Sequence, residues 1–438
     1  MLPSRNSIIG VGYILKSTVK IFSKVLSVAS LRHFSSYTLT AGLIPTHHFK
    51  TMDSSQPSIL VVGCGITGAS TAYFLRKTFG EEVNIEIWDK ARGAGGRMST
   101  NRAPDFPTVP FADMGAQYIT KNISGEANEE IYSELLDEGL ISPFQGIIAG
   151  LREGAETQEN YVCPQGFSSI VKYFARGAEC VFQRQLLSLR IHSSTEGTDE
   201  KKSEGLQRWE AIAPGSEETP SLFDAVVLTI PVPQMLQLQG DISELLQQHH
   251  TDLEAVQYSS RWALAVYYPP EAWNALVDVE WSTKYIGDCD VLRYISIEQR
   301  KRGQVGANNS DECGLTLLLH TGVPYGIKTM EEDGSQVESL MLQKLENQLQ
   351  GFSSFQPLRT KMIKWRYSQV YKGFSGSPGA VLLETPSAGH PIILSGDAFS
   401  SSGFDSCIAA AQRSCNFIRE QCALIEPTSC VDLKTSSL

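Results

Sequence analysis

No two of the nine cysteines stand at CxxC spacing, and none joins histidines at zinc-ligand spacing. An odd, scattered set of thiols argues for a reducing compartment over a disulfide framework. Sequons at Asn122-Ile-Ser and Asn308-Asn-Ser leave a secreted route open as the alternative. The chain also lacks any run of 18 or more apolar residues that would span a membrane as a helix. Acidic residues are missing from the first 52 positions, which carry six Lys and Arg. With that segment at +6, the overall charge of −11 leaves −17 for the remainder. A body so acidic argues against nucleic acid as a partner, and bound phosphates must be held by backbone N–H groups and a few placed arginines. GxSxG, HExxH, P-loop and metal-cluster patterns are absent too, which leaves no signature of triad or metal-assisted hydrolysis.

What is present is enough chain for two or three cores, 438 residues with 42% hydrophobic content. In the first 52 residues Leu15, Val19, Phe22, Leu26 and Ala29 share one helical stripe, with Lys16, Lys20 and Lys24 on another side. That pattern reads as a mitochondrial transit peptide processed near Arg32-His-Phe-Ser-Ser. A secretory signal built on Ile8 to Leu15, and a cytosolic product starting at Met52, are the alternatives.

Ser58-Ile-Leu-Val-Val62 has the β-branched, apolar character of a buried parallel strand. Gly63-Cys-Gly65-Ile-Thr-Gly68 follows at once, then a helical stretch over Ala69 to Thr78 and a second strand over Val83 to Trp88. That strand ends on Asp89, 21 residues beyond Gly68. Strand, GxGxxG, helix and acid at this spacing make a dinucleotide fingerprint. Gly63 turns the chain, Gly65 admits the pyrophosphate and Gly68 lets helix and strand pack closely. The helix N-terminus offers N–H donors to phosphate, and Asp89 can accept from ribose hydroxyls. These features do not separate NAD from FAD.

The segments that follow carry a resemblance. Gly95-Gly96-Arg97-Met98 and Asp113-Met-Gly115-Ala116-Gln117-Tyr118 come first, then Pro164-Gln-Gly166-Phe167 and Phe223-Asp-Ala-Val-Val-Leu-Thr-Ile-Pro231. Pro391-Ile-Ile-Leu-Ser-Gly396-Asp397 and Gly403-Phe404-Asp405 close the series. In this order they resemble the flavin amine oxidase-like superfamily. The runs WDKARGAGGRMST, DMGAQYIT, VLTIPVPQMLQLQGDI, YSSRWAL, HTGVPYG and KWRYSQV are similar to one branch of it, over about 365 residues.

The resemblance implies an α/β protein with a three-layer, Rossmann-like FAD-binding domain and an interleaved α+β substrate domain of mixed sheet. Residues 57–120, 161–235 and 371–422 would form the first domain, 121–160 and 236–370 the second, and 427–438 a polar, disordered tail. FAD would be held without a covalent link. Gly63, Gly65, Thr67 and Gly68 would meet the pyrophosphate, with Asp89 and Lys90 at the adenosine ribose. Leu187 would meet the adenine through its backbone. Arg97 would lie by the phosphates or ribityl chain, Asp397 by the ribitol, and the Phe404 N–H at the pyrimidine end. Gln117 and Tyr118 would lie near the isoalloxazine.

Amine oxidases of this superfamily place a lysine near flavin N5, and many bind the flavin through a cysteine. Aligned with the comparable strand, Ala263-Leu-Ala-Val-Tyr-Tyr268 puts Ala263 at the lysine position, and Cys407 reads as core. The branch implies instead an oxidase of isomeric dihydronicotinamides, the 2-dihydro and 6-dihydro forms of NAD(P)H. Hydride would pass to flavin N5 to give NAD(P)+, and dioxygen would take the electrons as hydrogen peroxide. Tyr118, His320 and Trp365 are the candidate pocket liners, for stacking, a carboxamide hydrogen bond and a wall; no residue is marked as a catalytic acid or base. A flavin amine or polyamine oxidase, and an FAD-containing binding or signalling protein, remain the other readings. Oligomeric state is not legible. His192 to Arg208 and Lys301 to Gly314 read as solvated loops.

Overall fold

The computed structural model describes residues 56–103, 111–121, 129–151, 158–193, 207–216, 219–304, 313–385 and 390–421. The basic extension and the polar tail lie outside these residues. In chain order the first elements are β1 (Ser58–Val62), α1 (Ile66–Phe79), β2 (Asn84–Asp89), α2 (Glu129–Asp137) and β3 (Ile148–Ala149). Next come α3 (Ser168–Phe174), β4 (Glu179–Phe182), β5 (Ala225–Leu228), β6 (Arg261–Tyr268), β7 (Thr283–Tyr285) and β8 (Leu292–Ile297). They continue through α4 (Glu298–Lys301), β9 (Leu315–Thr321), α5 (Gly334–Gln348) and β10 (Arg359–Trp365). The last are β11 (Ala380–Leu383), β12 (Ile392–Ser395) and α6 (Phe404–Gln421).

One six-stranded sheet runs in the order β11-β12-β5-β1-β2-β4, parallel except for the antiparallel edge strand β11. The alternation within β1 decides what covers it. Ile59 and Val61 face a core with Ala69, Ala72 and Leu75 of α1, Ile170 and Phe174 of α3, and Ile408 and Ile418 of α6. Leu60 and Val62 face the other way, onto Trp88, Trp209, Phe223 and Leu189. The last three belong to a small antiparallel sheet of Ser188–Ser193, Gln207–Ile212 and Ser221–Phe223. Helices, parallel sheet and small sheet make three layers, as the apolar run of β1, uninterrupted by any charge, requires.

The second six-stranded sheet has the order β10-β6-β9-β8-β7-β3, antiparallel except where β7 and β3 run parallel. In β6 the alternation is of size as well as face. Trp262, Leu264, Val266 and Tyr268 pack on Val337, Met341 and Leu345 of α5. Ala263 and Ala265 face the other side with Tyr267, against Ala103, Ala112 and Met114 from the segment after β2. Two alanines in mid-strand let that segment lie directly on the sheet. Among the described residues no helix is long and apolar enough to cross a membrane.

Candidate cofactor and substrate site

The turn after β1 is shaped by close approach. Gly63 has φ +105°, and a Cβ on Gly68 would lie 1.9 Å from the Gly63 carbonyl oxygen and 2.8 Å from Thr229 Oγ1. Helix α1 therefore starts against the strand end only if residue 68 has no side chain. Gly65 is different: a Cβ there would meet nothing within 4 Å. Protein packing does not demand glycine at 65, so the open space belongs to whatever the loop holds. The first-turn N–H groups of α1 point out of the helix at this place, without intrahelical partners. An empty cradle beside helix N–H donors, in a strand–turn–helix setting, fits a pyrophosphate.

Asp89 closes the same loop. Its Oδ2 accepts from Cys64 N at 2.7 Å and its Oδ1 from Ala91 N at 2.7 Å. Each carboxylate oxygen keeps a second lone pair. Lys90, next in sequence, is exposed. The chain after β4 turns beside this acid: Gln183 N donates to Ala91 O at 2.8 Å and Arg184 N to Asp89 O at 3.0 Å. Leu187 lies further on, with its N–H given to Ile212 O at 2.8 Å and its C=O taken by Gln239 N at 2.9 Å. With that N–H spent within the fold, the turn at Gln183 and Arg184 is the backbone alongside Asp89. The chain leaves β4 at Gln183, whose φ is +58°, before the next strand begins at Ser188.

The Gly95-Gly96-Arg97 turn docks on the fingerprint through Gly95 N and Cys64 O at 2.9 Å. Arg97 reaches Asp397, which follows β12, with a bidentate fork whose Nη2–Oδ1 arm is 2.7 Å. Ser402 Oγ donates to Asp397 Oδ2 at 2.5 Å. The two residues expected along the phosphates and the ribitol thus hold each other. Thr67 is buried in the first turn of α1, and Phe404 opens α6, its ring edge-on to Tyr132 at 5.8 Å. Cys407, one turn into α6, is buried, and burial with the nearby Asp397 charge pushes its thiol up to about 11. It is a neutral thiol at physiological pH.

The segment from Asp113 to Tyr118 joins this loop to the second sheet. Asp113 and Glu298 meet Lys301 and Arg302 in a quartet with side chains 0–1% exposed. Arg302 Nη2 lies 2.6 Å from both carboxylates, and Lys301 Nζ lies 2.8 Å from Glu298 and 3.3 Å from Asp113. Burial opposes the Asp113 charge, but Arg302 and Lys301 overcome it and hold the acid below its ordinary value. Lys301 also donates to Gln117 Oε1 at 3.2 Å, while Gln117 Nε2 donates to Asp113 O at 2.6 Å. Lys301 and Arg302 are therefore buried on and just after α4, which corrects the reading of 301–314 as a solvated loop from its first residue. The sequence signal was Glu298 with Lys301 and Arg302 at i+3 and i+4, a helical pairing.

Strand register places one row of side chains across the inner face. Ile363 lies opposite Ala263, Ala263 opposite His320, His320 opposite Tyr294, and Tyr294 opposite Tyr285. Met114 O lies over this row and accepts from Trp365 Nε1 at 3.0 Å and from His320 Nε2 at 3.1 Å. Tyr118 shares a 2.6 Å hydrogen bond with Tyr285 and sets its ring edge toward Phe144. The three pocket candidates are brought to one place, joined by Tyr285 and Tyr294, which the sequence reading missed. Burial, aided by Arg261, lowers His320 to about 4. The ring is neutral, donates from Nε2 and keeps a lone pair at Nδ1. Burial first, and then Tyr285, keep the Tyr118 phenol protonated far above its ordinary range. The face thus presents neutral aromatic groups, and Ala263 stands in the middle.

Residues 61–135 match the family described as an NAD(P)-binding Rossmann-like domain. The chain is 36% identical over 358 residues to the renalase of Mus musculus, covering 81% of this chain and 96% of that protein. Solved structures share the fold: the putative protoporphyrinogen oxidase of Exiguobacterium sp. 255-15 has a TM-score of 0.58 at 14% identity, over 84% of this chain and 99% of its own. A putrescine oxidase with redesigned cofactor binding has a TM-score of 0.57 at 12% identity, over 83% of this chain and 99% of its own.

Proposed function

The chain belongs to the renalase family of flavin-dependent oxidoreductases, and we propose that it holds FAD non-covalently and oxidises isomeric dihydronicotinamides. The flavin's ADP half lies along β1, the fingerprint and Asp89, and its pyrophosphate meets the Gly65 opening. Arg97 and Asp397 border the ribityl chain, and Gln117, fixed by Lys301 and Asp113, borders the ring. The discontinuous parallel sheet forms the FAD domain, and the second sheet forms the substrate domain. When bound, FAD supplies a two-electron acceptor whose electrons pass on to dioxygen as hydrogen peroxide.

The observation that carries the substrate class is the aromatic row Tyr285–Tyr294–His320–Ala263–Ile363. Oxidation of an alkylammonium requires loss of an N–H proton, and this face has no strong base to take it: burial lowers His320 to about 4, and burial keeps the Tyr118 and Tyr294 phenols protonated. Lys301, the lysine nearest Gln117, is committed to two carboxylates. Loss of hydride from a misplaced dihydronicotinamide carbon restores an aromatic ring and needs no base. It needs a flat ring held against the acceptor in a near-attack pose, which aromatic walls provide. His320 Nδ1 accepts from a carboxamide NH2, and Tyr118 and Trp365 flank the ring.

The test is oxygen uptake with peroxide detection by FAD-loaded protein, given 2-dihydro-NAD, 6-dihydro-NAD, their NADP counterparts, NADH, and mono- and polyamines. Turnover confined to the isomers supports the reading; turnover of an amine rejects it.

A further inference from the structure

Two arginines next to the aromatic row have no carboxylate counter-ion among the described residues. Arg261 opens β6 opposite Trp365, two residues from Ala263 and so roughly 7 Å along the strand from the centre of the row. Its Nη2 donates to Gln369 Oε1 at 3.0 Å, and its buried Nε has no acceptor. Arg293 precedes Tyr294 in β8 and donates Nη1 to Ile286 O at 2.6 Å. Neither guanidinium has a carboxylate partner among the described residues. Both side chains are half-buried. Burial disfavours the Arg261 charge, Tyr285 partly offsets that, and Arg293 adds to it, so the two cations act on each other.

Half-buried like charges without an anion are unfavourable, and several arginines elsewhere in the chain have one. Arg97 has Asp397, Arg302 has two carboxylates, and Arg208 has Asp224. Resting on the substrate class argued above, we propose that Arg261 and Arg293 form an anion subsite that takes the pyrophosphate of the dinucleotide substrate. Guanidinium forks suit phosphate oxygens, donating two N–H groups side by side. Arg261 still offers Nη1, and Arg293 its Nε and Nη2. The spacing is that of the molecule: the flat ring stands on the aromatic row, and the phosphates follow a ribose away along β6. The same charge repels ammonium substrates, which gives the site a second reason to reject amines.

The experiment compares 6-dihydro-NAD with the phosphate-free 6-dihydronicotinamide riboside, on FAD-loaded wild type, Arg261→Gln and Arg293→Gln. The flavin absorbance spectrum and circular dichroism check that each variant is folded and loaded. Each substitution raises KM for the dinucleotide on the order of 10- to 100-fold, the loss of a hydrogen bond to a charged group, and raises it much less for the riboside. Higher ionic strength raises the wild-type KM for the dinucleotide alone. An equal loss for both substrates, or no loss for either, overturns the subsite while leaving the oxidase reading intact. If wild type oxidises neither substrate, the oxidase reading fails. The subsite is then judged by calorimetric titration with inorganic pyrophosphate: heat lost in Arg261→Gln sustains it, and no heat from wild type overturns it.

Discussion

Replacing Asp113 by Asn removes one negative charge from a quartet that is electrically balanced and shut off from water. Two unit charges about 4 Å apart at an effective dielectric of about 20 interact by about 4 kcal/mol. The substitution deletes two such attractions, to Arg302 and Lys301, and one repulsion of similar size, from Glu298. The expected loss is therefore about 4 kcal/mol, within the about 3–5 kcal/mol typical of breaking a buried ion pair. Asn keeps an acceptor for Phe167 N and Thr100 Oγ1, now at 2.9 and 2.8 Å from Oδ1, but turns an N–H2 donor toward two cations. Urea unfolding at pH 7 measures the loss. The double variant Asp113→Asn with Lys301→Met restores the charge balance, so its loss falls short of the sum of the single losses by at least about 1 kcal/mol. The sign with pH is also fixed. Asp113 is held below its unfolded value, so its contribution is full above that value and is lost as pH falls through the folded one. A loss under about 1 kcal/mol in Asp113→Asn, or strict additivity, refutes the reasoning.

Gly65→Ala and Gly68→Ala separate the two roles of the fingerprint. The first leaves apoprotein stability near wild type and weakens FAD binding by about tenfold or more, read by flavin titration. The second destabilises the apoprotein itself by about 1–3 kcal/mol, read by urea unfolding. His320 is lowered from its ordinary value to about 4, so stability falls as pH drops from about 6.5 and levels near 4. The drop is about 3 kcal/mol, and it disappears in His320→Gln by thermal melts across that window. Tyr118→Phe removes the bond to Tyr285 and costs about 1 kcal/mol, measured the same way. Native protein sequenced from its N-terminus begins near Ser35 if the extension directs mitochondrial import, and at Met52 or Asp53 if it does not.

The fingerprint was legible because every part of it is local. Strand, turn, helix and acid follow one another over Ser58 to Asp89, and each residue's role follows from backbone geometry within that stretch. The aromatic row was legible only in pieces. His320 and Trp365 could be singled out as polar or bulky residues in strands, but Tyr285 and Tyr294 join them through strand register, which no spacing along the chain reveals. The quartet was missed for a related reason. Lys301 and Arg302 look like a charged surface turn until Asp113, nearly 190 residues earlier, is brought against them. The surroundings of Leu187 were hidden for the same reason: its backbone bonds to Ile212 and Gln239 join segments far apart in the chain.

The most direct measurement is anaerobic rapid mixing of FAD-loaded 53–438 protein with 6-dihydro-NAD, ordinary NADH and a panel of amines, followed at about 450 nm. An aromatic face with no strong base and with Ala263 at its centre predicts rapid bleaching by the isomer, none by amines, and peroxide when air is readmitted. Bleaching by an amine, or none by the isomer, would contradict it.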